Sequence, residues 1–160
     1  VAATPALAAL SRAGVPHEVV KYDHDARERS FGAEAVKALT ESQGIAAEQI
    51  YKTLVIEVPG GLAVAVVPAA AKLSLKAAAA ALGASKAVMA DPAAVQRATG
   101  YVLGAVSPIG QRRQLPTVVD DSALDWERIF CSAGRRGWDV ALSPLDLLRM
   151  TGGTTAKITS

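Results

Sequence analysis

The chain has 160 residues, of which 51% are hydrophobic, 20% charged and only 4% aromatic. This composition excludes a disordered or collagen-like polymer, and the length suits one domain over residues 1–160 that buries about 70% of its extended-chain surface. The formal charge of +2 and pI near 8.8 fall short of the pI above about 9 of a dedicated nucleic-acid binder, so no DNA partner is expected.

The first helix is signalled by Thr4-Pro5, a cap followed by a first-turn proline, and is stopped by Gly14, with Leu7 and Leu10 as its buried stripe. Residues 18–22 read as a strand ending in the polar loop 23–30, with Phe31 an isolated aromatic behind it. A helix is expected over 33–39 and a helical turn over 46–49. Residues 51–58 and 62–68, rich in β-branched side chains and split by Pro59-Gly60-Gly61, predict a β-hairpin.

Helices follow at 74–82 and, after Asp91-Pro92, up to about Ala98, with a short strand at 87–89 between them. Residues 99–110 mix strand formers with glycines, a pattern that marks bulges or close backbone approach. A short strand at 117–119 precedes a second hairpin, 129–132 with 138–142 around Ala133-Gly134-Arg135-Arg136-Gly137. Ser143-Pro144 opens a last helix to Met150, and the tail beyond Gly152-Gly153 is ordered or frayed. Two hairpins among interspersed helices require an α/β fold with a mixed, largely antiparallel sheet.

Cys131 is the only cysteine, which excludes an intrachain disulfide and a cysteine cluster for zinc. It reads as a buried, inert thiol. The first residues show no charged leader with an apolar core, and the longest apolar run, 62–71, is broken by Pro68 and far below the ~20 residues of a membrane span. A cytoplasmic protein without a membrane partner is expected. There is no P-loop, nucleophile elbow, H-E-x-x-H pair or dinucleotide fingerprint. His17 and His24 lack metal-ligand spacing and read as surface histidines, so neither a metal nor a cofactor is expected.

Lys52 is the odd residue of the first hairpin. At period two it shares a face with Leu54, Ile56 and Val58, the side assigned to the interior. Such a lysine either snorkels to solvent or aims its cation into a concave site. Thr53 adds a neighbouring hydroxyl, and the bend Gly104-Ala105-Val106-Ser107-Pro108 offers backbone N–H groups to an anion or a polarised carbonyl. Ser132 and Asp139 flank the second hairpin loop. The pairs Arg112-Arg113 and Arg135-Arg136 are solvated loop charges or phosphate contacts.

The segments Tyr22-Asp23-His24-Asp25, Tyr51-Lys52-Thr53-Leu54, Met89-Ala90-Asp91-Pro92, Thr99-Gly100-Tyr101, Ser107-Pro108-Ile109-Gly110-Gln111 and Leu115-Pro116-Thr117 resemble, in this order, the YbaK family. These are free-standing Cys-tRNA(Pro) deacylases related to the editing domain of bacterial prolyl-tRNA synthetases. The resemblance spans nearly the whole chain and implies a curved mixed sheet surrounded by helices, with a pocket for the 3′ end of an aminoacyl-tRNA. It implies Lys52 as the essential lysine, and Tyr22, Phe31, Thr53, Gly104, Ser132 and Asp139 as pocket-lining positions. With the bend residues Ser107 and Pro108 these form the expected site. Ser30 stands where well-known members carry asparagine, and Ala105 and Ala133 where they carry glycine.

The implied chemistry needs no protein nucleophile. The substrate's own cysteine thiol attacks its ester carbonyl, releasing tRNA(Pro), or tRNA(Cys), and a cyclic thioester that then hydrolyses. Prolyl-tRNA synthetase is the implied partner. Two alternatives stand beside this reading: an editing deacylase that uses water on a tRNA carrying alanine or another small amino acid, and a non-catalytic module that binds tRNA or a synthetase.

Overall fold

The computed structural model describes residues 4–25 and 31–160. The expectations placed on residues 26–30, the Ser30 departure among them, lie outside the described residues.

Helix α1 (Pro5–Ala13) starts where the Thr4 hydroxyl accepts the Leu7 N–H and ends at Gly14 in the left-handed region. Strand β1 (Glu18–Lys21) precedes helix α2 (Phe31–Gln43), which is longer at both ends than its apolar periodicity suggests. Phe31 is therefore the first residue of a helix rather than the end of a loop. The hairpin pairs β2 (Tyr51–Val58) with β3 (Gly61–Pro68) along its full length.

Helix α3 (Leu75–Ala81), strand β4 (Val88–Met89) and helix α4 (Pro92–Thr99) come next, then β5 (Thr117–Asp120). The second hairpin joins β6 (Ile129–Arg135) to β7 (Trp138–Leu142), with an irregularity between Ser132 and Arg135. Helix α5 (Pro144–Thr151) and strand β8 (Thr154–Ala156) end the chain. The tail is ordered: β8 pairs in parallel with β5, and the buried Ile158 donates its N–H to Asp120 Oδ1 at 3.0 Å.

The strands form two sheets. One is antiparallel, β1-β7-β6; the other is mixed, β4-β2-β3-β5-β8, with parallel β3–β5 and β5–β8 pairs. A parallel bridge between Ile50 and Phe130 links the sheets at one corner. The mixed α/β arrangement agrees with the sequence, although hairpin patterns alone gave no sign of the parallel crossovers.

Three apolar layers hold this arrangement. Val55, Val64, Val66 and Val119 of the larger sheet meet Ile129, Cys131, Val140 and Leu142 of the smaller one, with Leu7 and Leu10 of α1. Outside the larger sheet, α3 seats Ala78 against Ile56, Ala63, Ala65 and Val67. Outside the smaller sheet, α2 seats Ala35 and Leu39 against Val20, Ile50, Phe130 and Ala141. Both faces of β2 are thus covered, so there is no single interior side for Lys52 to share. On its parity, Ile50 belongs to the α2 layer and Ile56 to the α3 layer, and Lys52 lies between them.

The glycine-rich stretch 99–110 forms no strand. It folds onto α1: Ile109 is fully buried, Tyr101 donates its hydroxyl to the Ile109 carbonyl at 2.7 Å, and a Cβ on Gly110 would lie 2.6 Å from the Pro5 backbone. Only glycine fits there, since its φ of 69° is left-handed as well. Among the described residues, no helix is long and apolar enough to cross a membrane.

Candidate active site

A cavity of about 210 Å³ opens where the start of β2 meets the first turn of α2, the β6–β7 hairpin and the loop 103–106. Tyr22, Phe31, Lys52, Thr53, Gly104, Ser132 and Asp139, seven of the sequence-derived candidates, all line it. Its size is below the ~300–1,000 Å³ of pockets for drug-sized ligands, which suits a small acyl group entering on the end of something larger.

Lys52 and Thr53 lie on opposite faces of β2, yet both reach the cavity because it opens at the strand's edge. Strand β4 covers β2 only at Ile56 and Glu57. The Val55 carbonyl is taken by the Ala90 N–H. At period two, the N–H and C=O of Thr53 point to the same edge, beyond the reach of β4. The Thr53 hydroxyl is buried and has no hydrogen-bond partner among the described residues. Buried hydroxyls are rarely left so.

Charge in the cavity is similarly uncompensated. Burial lowers the Lys52 pKa below the usual lysine value, and no ion pair holds its ammonium among the described residues. Asp139 is buried, and desolvation pushes its carboxyl up to about 7. The two line one cavity but form no salt bridge with each other. Burial also raises the Tyr22 phenol, with the nearby Asp139 and Glu34 charges adding to it.

The Asp139 shift has a consequence for stability. A carboxyl bound more tightly to its proton in the folded state favours folding only while protonated, so stability falls as pH rises from near 4 to about 7. An Asp139→Asn variant is expected to lose that slope. Thermal melts of both proteins from pH 4 to 8 would check it, with parallel curves counting against the shift.

The loop 103–106 is held over the cavity from two sides. Arg136 donates two hydrogen bonds to the Leu103 carbonyl, at 2.9 and 2.7 Å, and stacks over the Phe31 ring at 5.0 Å. A Cβ on Gly104 would stand 2.8 Å from three atoms of that ring, so the backbone lies flat on the aromatic face. Arg135 covers the Trp138 ring at 4.9 Å. The Arg135-Arg136 pair is therefore engaged within the protein.

Two candidates fall elsewhere. Ser107 and Pro108 do not line the cavity; Ser107 is fully buried, its hydroxyl accepts the Ile109 N–H, and its carbonyl accepts from Gln111 Nε2 at 3.1 Å. Their segment packs the loop base against α1, so the structure does not bring them together with the other candidates. The Ala105 N–H is also committed, to the Val102 carbonyl at 3.0 Å. Gly104 and Val106 are the bend residues that reach the cavity.

His24 is not a surface histidine either. Its Nδ1 lies 2.7 Å from Glu34 Oε1, its ring packs against Phe31 at 5.9 Å, and its Nε2 is buried without a partner among the described residues. Glu34 Oε2 also accepts the Asp25 N–H at 3.0 Å, so this pair docks the segment after β1 onto the first turn of α2. Sequence reading missed Gly32 of α2 and Leu103 and Val106 of the loop as lining residues because apolar and glycine positions carry no chemical signature.

Among the described residues, no lining side chain forms a nucleophile–base pair. Cys131 points into the core between the sheets, where burial and the Asp139 charge raise its pKa, so its thiolate is suppressed. Ser132 Oγ accepts the Gly134 N–H at 3.0 Å, and neither histidine lines the cavity. The arrangement can bind and orient a polar acyl end, but it offers no activated side chain to attack one.

An α/β fold of this kind is shared with known proteins. The chain belongs to the aminoacyl-tRNA editing domain family, whose model matches residues 32–150. It is 36% identical over 158 residues, covering 98% of this chain and 93% of the relative, to a protein of Enterococcus faecalis named "Putative Cys-tRNA(Pro)/Cys-tRNA(Cys) deacylase EbsC". Among solved structures it resembles "a putative trans-editing enzyme for prolyl tRNA synthetase" with a TM-score of 0.84 and 25% identity, covering 98% of this chain and 95% of the other. A hypothetical protein at 23% identity and a TM-score of 0.80 shares the fold.

Proposed function

We propose that the protein is a trans-editing deacylase that releases cysteine from mischarged tRNA(Pro), with Cys-tRNA(Cys) as a second substrate. The observation that carries this reading is a cavity holding a partly buried Lys52, a buried Thr53 hydroxyl without a partner among the described residues, and Asp139, with no nucleophile–base pair among the described lining residues. Family membership and the name of the Enterococcus faecalis relative support it.

In this mechanism the aminoacyl ester enters the cavity with its carbonyl at the open edge of β2. The thiol sulfur of the substrate attacks the carbonyl carbon, a C–S bond forms, and the C–O bond to the terminal ribose breaks. The thiol proton ends on the departing ribose oxygen, and water later opens the cyclic thioester to free cysteine. Attack within one molecule gains up to about 7–11 kcal/mol when the reactive geometry is enforced. The protein supplies that geometry, together with donors for the developing oxyanion. The Thr53 backbone N–H at the open edge and the Gly104 backbone fit this role, and each such donor is commonly worth about 3–4 kcal/mol. Lys52 is a point charge for the reacting end or the terminal phosphate. The small cavity, narrowed by Phe31 over Gly104, selects against bulkier amino acids.

The partner follows from the same reading. A net charge of +2 gives weak discrimination among tRNAs by itself. We take prolyl-tRNA synthetase to supply that selection in the cytoplasm, consistent with the neighbour described as a trans-editing enzyme for that synthetase. Strong preference of the isolated protein for tRNA(Pro) over tRNA(Cys) would contradict this part.

The experiment is a deacylation panel of Cys-, Ser-, Ala- and Pro-tRNA(Pro) with one preparation. Cleavage of the cysteine ester well ahead of the serine and alanine esters is expected. Equal cleavage of the thiol-free esters would instead identify a water-using editor of small amino acids.

A further inference from the structure

The two arginine pairs of the sequence have different fates. Arg135 and Arg136 are spent on Trp138, Phe31 and the Leu103 carbonyl. Arg112 and Arg113 are exposed, and with Arg97 they border a cleft of about 350 Å³ floored by Leu62, Ala94 and Ala98. None of these three guanidinium groups is in an ion pair among the described residues.

The backbone sets this cluster in place. The Arg112 N–H donates to the Thr99 carbonyl at 2.9 Å and the Arg113 N–H to the Ala98 carbonyl at 3.2 Å. The loop thereby closes the C-terminal turn of α4, where unsatisfied carbonyls favour nearby cations. Arg112 Nη1 reaches the Arg97 carbonyl at 3.5 Å, and Arg97 itself belongs to that last turn. Three positive charges are thus held around one concavity, none of them in an ion pair among the described residues.

Helix α4 borders both the cleft and the surroundings of the candidate active site. Thr53, Leu54, Leu103 and Val106 line both the cavity and a narrow apolar groove, which Pro92 and Val95 of α4 also line. Arg97 lies in the last turn of the same helix.

We propose that the cleft of Arg97, Arg112 and Arg113 binds the phosphate backbone of the RNA whose 3′ end enters the cavity. This rests on the deacylase reading for the identity of the RNA, while the binding itself is tested without it. The guanidinium groups contact phosphates and position the strand; they do not read its bases.

The test measures binding of uncharged tRNA by fluorescence anisotropy between 50 and 200 mM salt. An Arg97→Gln/Arg112→Gln/Arg113→Gln variant is expected to bind at least about tenfold more weakly, and its log–log salt slope is expected to fall by about 2–3. Arg113→Gln alone, the mildest change, should remove about a third of that slope. A Lys72→Gln/Lys76→Gln/Lys86→Gln variant removes equal charge elsewhere and should keep the wild-type slope. With cysteinyl esters, the preference for full tRNA over cysteinyl-adenosine should collapse in the arginine variant.

Unchanged RNA binding by the arginine variant overturns the proposal, as does an equal loss in the lysine variant or no RNA binding by the wild-type protein. Retained RNA binding with lost association to an acidic protein partner also overturns it, in favour of a protein-docking face. If the wild-type protein cleaves neither ester, the deacylase reading fails while the binding arms still decide this proposal.

Discussion

Replacing Lys52 by alanine is expected to slow deacylation of Cys-tRNA(Pro) by about 10²–10³-fold while leaving the fold intact, the scale of losing one well-placed electrostatic contact. The two halves of this expectation have separate grounds. The ammonium is desolvated and unpaired among the described residues, so removing it relieves a burial cost and leaves no orphaned acid behind. The melting temperature should therefore stay within a few degrees of wild type, since about 1 kcal/mol moves a chain of this size by roughly 2–4 °C. Lys52→Arg should not restore the rate, because a planar five-donor fork does not replace a compact cation in a small cavity. A Lys52→Ala protein that melts normally and cleaves at the wild-type rate would remove this residue from the mechanism.

Gly104→Ala is the second change with a large expected effect. The added methyl would meet three Phe31 ring atoms at 2.8 Å, on a backbone whose φ is 83°. The left-handed conformation alone costs a non-glycine residue about 1–2 kcal/mol, or roughly 2–8 °C in melting temperature. The larger consequence is geometric. Phe31 must turn or the loop must lift, and displacements near 1 Å at a reacting centre can cost about 10²-fold. Activity measured well below the melting temperature separates the two effects. Combining the change with Phe31→Leu should recover part of the rate, since the two residues share one contact and their effects should not add. Wild-type turnover by a folded Gly104→Ala protein would show that this loop does not shape the site.

The legible part of the sequence was local. Thr4-Pro5, Asp91-Pro92 and Ser143-Pro144 each cap a helix where expected, with the cap side chain accepting first-turn N–H groups. Both hairpins follow from β-branched runs around glycine turns. The parallel pairing of β3 with β5 and of β5 with β8 was not legible, because it depends on how distant segments cross. Lys52 stood out as a cation among apolar residues, but the inference from one-sided burial was too simple for a strand covered on both faces.

The site was legible only in part for a related reason. Period two separates Lys52 from Thr53, and only the short reach of β4 leaves an edge where both face one hollow. Ser107 and Pro108 looked chemical because a glycine-to-proline bend can present amides, whereas packing against α1 uses that segment structurally. His24 looked like an isolated surface group because its partner Glu34 is ten residues away, across a loop and on another element. Arg136 stood out only as a loop charge, since its target, the backbone carbonyl of Leu103, leaves no mark in the sequence.

The most direct test is to trap the acceptor end in place. A cysteinyl-adenosine whose ester oxygen is replaced by nitrogen resists cleavage, and a crystal structure of its complex locates the acyl group. The expected result is a carbonyl at the edge of Thr53, with the Lys52 ammonium and the Gly104 backbone within contact distance. Ordered ligand elsewhere on the surface, with that hollow filled only by water, would contradict the assignment.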